Sequence, residues 1–472
     1  MMILRYIFIG LEVVLLFNLL IGFHELGHFL AAKWRGLKIE RFAIWFGKPV
    51  WKKKVNGIEY ALGWIPAGGY VAMPQMASME AIEGKAESSD EPLPNISALD
   101  KIIVAFAGPL FSFVLAVIFA FVVWGVGKPL NEAENSTTIG WVDPGGPAAM
   151  AGLQPGDQIE EIDGHPVRHF LSSAQDSVTW RIVTSEGTNI AVKYLRDGKE
   201  AMAYPVPVHR PTKWYERKDL RHLLIAPAID AIVYEVASNS PAADAGLKSG
   251  DQIIKVGGKK IYSALAVFAV QDAWSNSPVQ PVTLTIQRGA EQFDRTLTAV
   301  KPLKPTNSFP SLGIISFLDS TNATLVHPRP LQQIEDSAGQ IFGVIGAITH
   351  RGGEIGVQQL GGAVMIIRVY SNLFQSDDGW RLAIWFSVLL NVNLALLNML
   401  PLPVLDGGHI VLSLIEAVRR RPLGAKLMNS IQTGFAVLLI GFMAYIAFFD
   451  IGDWARSAHD NREVPVIFAP GK

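Results

Sequence analysis

The stretch Leu19-Leu20-Ile21-Gly22-Phe23-His24-Glu25-Leu26-Gly27-His28-Phe29-Leu30-Ala31-Ala32 decides the reading of this chain. Two histidines four residues apart on a helix point to one side and can bind one metal ion. Glu25, between them, can take a proton from water at that metal. The chain has 10 histidines among 472 residues, and at that frequency chance supplies H-E-x-x-H on the order of 0.01 times. The flanking residues have the composition of a membrane helix. An ionised side chain at bilayer centre costs roughly 2.5–3.5 kcal/mol on insertion scales, so polar residues kept there have a task. Packing of three polar residues in a soluble core is the bland alternative, and both spacing and setting argue against it.

Half the residues are hydrophobic, 18% are charged and mean hydropathy is +0.27. That balance fits a protein part membrane and part soluble, of roughly three domains by length. A net charge of -1 gives no sign of nucleic acid. The absence of cysteine excludes disulfides, cysteine catalysis and thiolate metal ligands. No cleavable signal peptide is expected, because the first apolar segment is long, lacks a small-residue cleavage site and carries the motif.

Four membrane helices are expected, at about residues 6–32, 102–126, 382–400 and 431–449, each near the ~20 residues that a bilayer core needs. Glu12, in the first, is assigned no role. Lys33, Arg35, Lys38, Arg41, Lys48, Lys52, Lys53 and Lys54 follow the first span, and Arg419, Arg420, Arg421 and Lys426 separate the third from the fourth. Positive loops stay cytosolic, so the long segment 127–378 is expected on the opposite side.

That segment contains a repeat. Pro147-Ala148-Ala149-Met150-Ala151-Gly152-Leu153-Gln154-Pro155-Gly156-Asp157-Gln158-Ile159 matches Pro241-Ala242-Ala243-Asp244-Ala245-Gly246-Leu247-Lys248-Ser249-Gly250-Asp251-Gln252-Ile253 at a constant offset of 94 residues. Alternating stretches such as Val282-Thr283-Leu284-Thr285-Ile286 read as strands. The pattern G-L-x-x-G-D-x-I resembles PDZ domains of bacterial proteases. The expected class is therefore a multi-pass α-helical membrane protein with four transmembrane helices, a membrane-associated β-hairpin and two inserted β-rich PDZ domains. Its expected division is residues 1–36 (first span), 37–75 (hairpin region, with Gly68-Gly69-Tyr70 as a turn) and 76–100 (polar cytosolic loop). Then come 101–127 (second span), 138–210 and 222–302 (PDZ domains), and 303–377 (linker with an amphipathic helix on the membrane or under the PDZ pair). Residues 378–410 (third span), 430–450 (fourth span) and 451–472 (tail) complete it.

Two histidines do not complete a catalytic zinc site, which usually has three protein ligands. The best third candidate is Asp406 in Asn398-Met399-Leu400-Pro401-Leu402-Pro403-Val404-Leu405-Asp406-Gly407-Gly408-His409, with His409 as its rival. Pro401 and Pro403 break the helix, and Gly407-Gly408 permits a sharp turn that aims the carboxylate.

Taken together, H-E-L-G-H, Ala107-Gly108-Pro109, the tandem repeat and N-x-L-P-L-P-V-L-D-G-G-H resemble the site-2 protease family over nearly the whole chain. Within it, they are similar to the RseP-type branch that acts on an anti-sigma factor. The resemblance implies one zinc ion held by His24, His28 and Asp406, with Glu25 as general base. It implies that Asn393 and Asn398 hold an extended substrate. It implies single-pass membrane proteins as substrates, cut after an upstream protease has acted, in contact with membrane lipid and without nucleic acid. It also implies the bacterial inner membrane, with PDZ domains on the periplasmic side and the active site near the cytosol. Three departures stand out. Ser112 occupies a place where the family often has Asn, and Gly361-Gly362-Ala363 stands where Gly-Pro is common. Leu223-Leu224-Ile225, read as opening the second PDZ domain, lacks the middle glycine of a carboxylate-binding loop. None is expected to touch the metal site. Competing readings are a catalytically silent PDZ scaffold, against which the intact Glu25 speaks, a metal transporter, and a protease for remnant signal peptides.

Overall fold

The computed structural model describes residues 2–76, 96–172, 174–305, 309–318, 324–350, 352–376, 378–420, 425–460 and 466–469. The polar loop expected at 76–100 lies mostly outside them. The chain forms two compact units, one of Met1–Lys128, Val326–Phe342 and Leu360–Gly452, the other of Pro129–Leu325, Gly343–Gln359 and Asp453–Lys472. Four helices are long and apolar enough to cross a membrane: Ile7–Arg35, Ala98–Val126, Gly379–Asn398 and Ser430–Ser457.

In the helical unit, the second of these packs against the first, the third and the helix Asp406–Arg419. Ser97 and Asp100 begin it with a capping box. Asp100 also receives Arg35 at 2.6 Å, tying the end of the first helix to the start of the second. The third helix stops at Asn398, ahead of Pro401 and Pro403, which cannot continue it. A new helix opens at Asp406 with Asp406, Gly407, Gly408 and His409 buried. A Cβ on Gly407 would strike the Met399 carbonyl and one on Gly408 the Leu402 carbonyl, so only glycine closes this turn. Segment 378–410 is therefore two helices around a break.

The last helix runs to Asp460, beyond the expected limit of 450, which shortens the tail. Within it Asp450 is 4% exposed. Its carboxylate accepts the N–H groups of Gly362 (2.9 Å) and Met365 (3.2 Å) at the start of helix Ala363–Leu373. A carboxylate there complements the helix dipole. Proline at 362 could not donate that bond. Helix Pro330–Thr349 packs Ile334, Ala338 and Ile341 onto Ala116, Ala120, Val123, Val388 and Val392, so its first half belongs with the second and third spans.

The expected hairpin is present, and it is folded back on itself into a bent sheet. Strand Arg41–Val55 pairs with strand Ile58–Ala72 in more than one register. Near the tip Val55 faces Ile58; near the base Arg41 faces both Ala72 and Glu59, and Ile44 faces both Gly69 and Leu62. The segments therefore lie in the order 51–55, 58–62, 41–44, 69–72. Left-handed residues at Trp45 (φ 70°), Gly47 (φ 89°) and Gly68 (φ 76°) fold the strands back. The tip turn is Asn56-Gly57, with φ of 50° and 84°, the pair favoured in tight hairpins. Gly68-Gly69-Tyr70 lies inside a strand instead.

The second unit contains two β lobes with separate cores, one around Ile139, Ile159, Ile162 and Ile190, the other around Val233, Ile253, Leu284 and Ile286. Their boundaries differ from 138–210 and 222–302. Strand Ile225–Pro227 pairs with Ile139–Val142, and Leu223 lies in the first core. Strand Ile314–Phe317 pairs with Ala231–Val236, and Leu312 lies in the second. Leu223-Leu224-Ile225 thus closes the first lobe. Its counterpart in the second is Leu312-Gly313-Ile314, which does carry the glycine. The two turns exchange bulk. Leu224 (φ 56°) faces Gly146, where an added Cβ would lie 3.4 Å away, whereas Gly313 (φ 83°) faces Ser240 and has no room for a side chain.

Both lobes bury the aspartate of their G-D pair. Arg196 grips Asp157 and Arg288 grips Asp251, each through two nitrogens, and each arginine also donates to a backbone carbonyl, of Gly152 or Gly246, at 2.7 Å. Burial alone would raise the Asp251 carboxyl. Hydrogen bonds from Arg288 and the Lys248 N–H more than offset this and hold it below the ordinary carboxylate value. A folded value below the unfolded ~3.9 gives stability that is complete above about pH 5 and lost as pH falls through the folded value. Heat unfolding of the second lobe should therefore drop between about pH 5 and pH 3, and Arg288→Met should flatten that dependence. A slope unchanged in Arg288→Met would remove the ion pair from this account.

Candidate metal centre

Three groups from two helices meet at one point. The first helix brings His24 and His28 to one face, and the turn after the third brings Asp406. His24 Nε2 lies 3.3 Å from Asp406 Oδ2, His28 Nε2 lies 3.4 Å from Asp406 Oδ1, and the two ring nitrogens are 3.2 Å apart. Exposures are 7%, 1% and 5%. Among the described residues these three form the group able to hold a metal ion, and the rival His409, 6% exposed and one turn further along its helix, is outside it.

The donor set fits zinc. Atoms 3.2–3.4 Å apart are edges of a tetrahedron whose centre-to-corner distance is about 2.0 Å, a zinc–nitrogen bond length. The ring orientations are fixed from behind. His28 Nδ1 lies 2.8 Å from the Val104 carbonyl, which can only accept, so the proton sits on Nδ1 and Nε2 presents its lone pair. His24 Nδ1 lies 2.9 Å from Ser112 Oγ. The Nε2 lone pair of His28 thus faces His24 Nε2 and a carboxylate, an arrangement that a cation among them would satisfy.

The second helix supplies no ligand, yet it forms the wall of the site. Val104 and Ser112 hold the rings, and Gly108 lies between them. An added Cβ at 108 would overlap the His28 ring and come within 2.8 Å of His24 Nε2. Ser112, expected to be remote from the metal, is therefore in direct contact with His24. The A-G-P signal in the sequence pointed to this helix without revealing why.

Glu25 Oε2 is buried with no hydrogen-bond partner among the described residues. Segment 69–72 runs beside it, and a Cβ on Gly69 would lie 3.3 Å from Glu25 Cγ. Asn398 Nδ2 is 3.4 Å from His24 Nε2. Asn393 is half-buried on the same helix. Asn391, passed over in the sequence, is fully buried seven residues before Asn398 and shares its helix face. Asn18 was also missed. Its Oδ1 accepts Trp45 Nε1–H at 2.5 Å and joins the first helix to the sheet.

Comparison with known proteins identifies the family. The model of peptidase family M50 matches residues 12–441, a span that contains every element of the centre. The chain belongs to peptidase family M50. It is a zinc metalloprotease of the site-2 type. The regulator of sigma E protease of Haemophilus influenzae is 27% identical over 454 residues, covering 91% of this chain and 96% of that one. Protease RseP of Yersinia pestis is 27% identical over 456 residues, with coverage of 92% and 96%. A Neisseria meningitidis protein, named as a candidate zinc metalloprotease, is 28% identical over 466 residues, with coverage of 92% and 96%. Among solved structures, a PDZ domain of a Listeria monocytogenes SdrC-like protein matches 19% of this chain and 87% of its own at 21% identity and a TM-score of 0.16, too little to carry an argument.

The wall makes a prediction about metal. Gly108→Ala should displace the ligand rings and weaken zinc binding by at least about tenfold, as should Ser112→Ala, in line with the cost of losing a group that orients a ligand. Zinc retention against a graded chelator measures this. Wild-type retention in Gly108→Ala would show that the wall does not set ring position.

Proposed function

We propose that this protein is an intramembrane endopeptidase that cuts single-pass membrane proteins, with His24, His28 and Asp406 as zinc ligands and Glu25 as general base. The observation that supports it best is the buried triad with an unpartnered Glu25 oxygen beside it. When bound, zinc supplies a Lewis acid that polarises the scissile carbonyl and lowers the pKa of water toward about 7. Glu25 takes the proton from the attacking water and passes it to the leaving amine. A helical substrate hides its carbonyls in its own hydrogen bonds, so it must unwind first. Segment 69–72 lies at the edge of its sheet among the described residues, and an edge can accept an extended chain as one more strand. Asn398 and Asn393 would tie remaining polar groups of that chain.

We infer from the basic loops that the triad lies toward the cytosol and the β lobes on the periplasmic side of an inner membrane. We read the lobes as PDZ-type domains that exclude bulky outer domains and so admit substrates already trimmed by an upstream protease. The name of the Haemophilus influenzae relative, regulator of sigma E protease, supports an anti-sigma factor as substrate.

Glu25→Gln should keep zinc and lose at least about 100-fold in cleavage rate, the lower end for general-base catalysis. Near wild-type cleavage would refute that role. Asn398→Ala should weaken cleavage with zinc retained, and unchanged kinetics would make it a packing residue. Removing both lobes, residues 139–317, should leave cleavage of trimmed substrates intact and admit untrimmed ones. Loss of trimmed cleavage at unchanged zinc content would make the lobes recruiters.

A further inference from the structure

The end of the chain is bound to its own second lobe. Residues 466–469 lie along Leu303-Lys304, where Leu303 N–H donates to the Ile467 carbonyl at 2.7 Å and Lys304 N–H to the same carbonyl at 3.2 Å. Ile467 N–H returns a bond of 3.0 Å to the Lys304 carbonyl. Phe468 is 3% exposed, as deep as a core residue, although it belongs to a short tail segment. A Cβ on Gly313 would lie 3.2 Å from its ring.

The same turn explains how the tail is held. Leu312 N–H and Ser311 Oγ–H both donate to Gln271 Oε1 at 2.9 Å, and Gly313 N–H donates to Ser311 Oγ at 3.0 Å. Loop N–H groups that would otherwise face a carboxylate are thus satisfied within the lobe. The chain also continues three residues past Ala469. Residues 466–469 are held as a strand with one aromatic anchor. The first lobe has no equal site at this turn, because Leu224 stands where Gly313 does. The end of the last helix, from Asp453 onward, belongs to the same unit as the lobe. Arg217 reaches Asp453 at 2.6 Å and also bonds the Gln358 carbonyl.

We propose that residues 466–469 are a clasp, a peptide ligand built into the chain that fills a strand-addition site on the second lobe. Resting on the filter reading above, release of the clasp frees the second lobe and lets untrimmed substrates through.

The test compares the full-length enzyme in lipid with Phe468→Ala and with a chain ending at Asp460. Amide hydrogen exchange at Leu303 and Lys304 should speed at least tenfold in both, with zinc content and cleavage of trimmed substrate unchanged. A synthetic peptide of residues 463–472 should restore protection to the shortened chain. The same peptide with Phe468→Ala should not, and an amidated C-terminus should make no difference. Unchanged exchange at Leu303 and Lys304 overturns the clasp, and loss of binding on amidation overturns strand addition as its mode. Cleavage of an untrimmed substrate should rise severalfold in the shortened chain. Faster exchange without that rise keeps the binding site and sinks the filter.

Discussion

The meeting of Asp406 with His24 and His28 is the constraint on which the helical unit depends. Bringing a carboxylate and two imidazoles together in apolar surroundings is costly unless a cation joins them. The ligands come from segments nearly 400 residues apart in sequence, so the cost is met only if the helices close on one another. Gly27 and Gly108 allow that approach, Gly407 and Gly408 aim the carboxylate, and the Asp100–Arg35 pair fixes the ends of two helices. Polar chemistry deep in an apolar protein thereby dictates where side chains must be missing.

Much of this centre was legible in the sequence. H-E-x-x-H states its own geometry through helical periodicity, and L-D-G-G after two prolines announces a break followed by a close turn. Ser112 was not legible as a partner of His24. It stands 88 residues away, and nothing local marks a serine on an apolar helix as facing an imidazole. The bent sheet was hidden for a related reason. Alternation identifies strands, but the back-folding depends on Trp45 at positive φ, a conformation that a tryptophan does not advertise.

The lobes illustrate a different limit. The repeat was visible because its turn and buried aspartate recur at constant spacing. The closing strands were not, since Ile225–Pro227 and Ile314–Phe317 lie beyond the matched segment and at a different offset. The missing glycine was consequently assigned to the wrong lobe. In space the two turns are equivalent, with bulk on one side in each: Leu224 over Gly146, Ser240 against Gly313. Shape was conserved between the repeats by trading side chains, which a residue-by-residue match reads as disagreement.

The wall formed by the second helix carries a mechanical consequence. Val104 and Ser112 grip the two rings eight residues apart, about 12 Å along that helix, while His24 and His28 lie about 6 Å apart on theirs. The rings are thus splayed across two fixed rungs. A slide of the second helix by a single residue, about 1.5 Å, would misalign both rungs at once. Helices adjust to bilayer thickness by tilting and shifting. Any relative movement of the two helices therefore disturbs both histidine contacts together, so the geometry of the centre depends on their register.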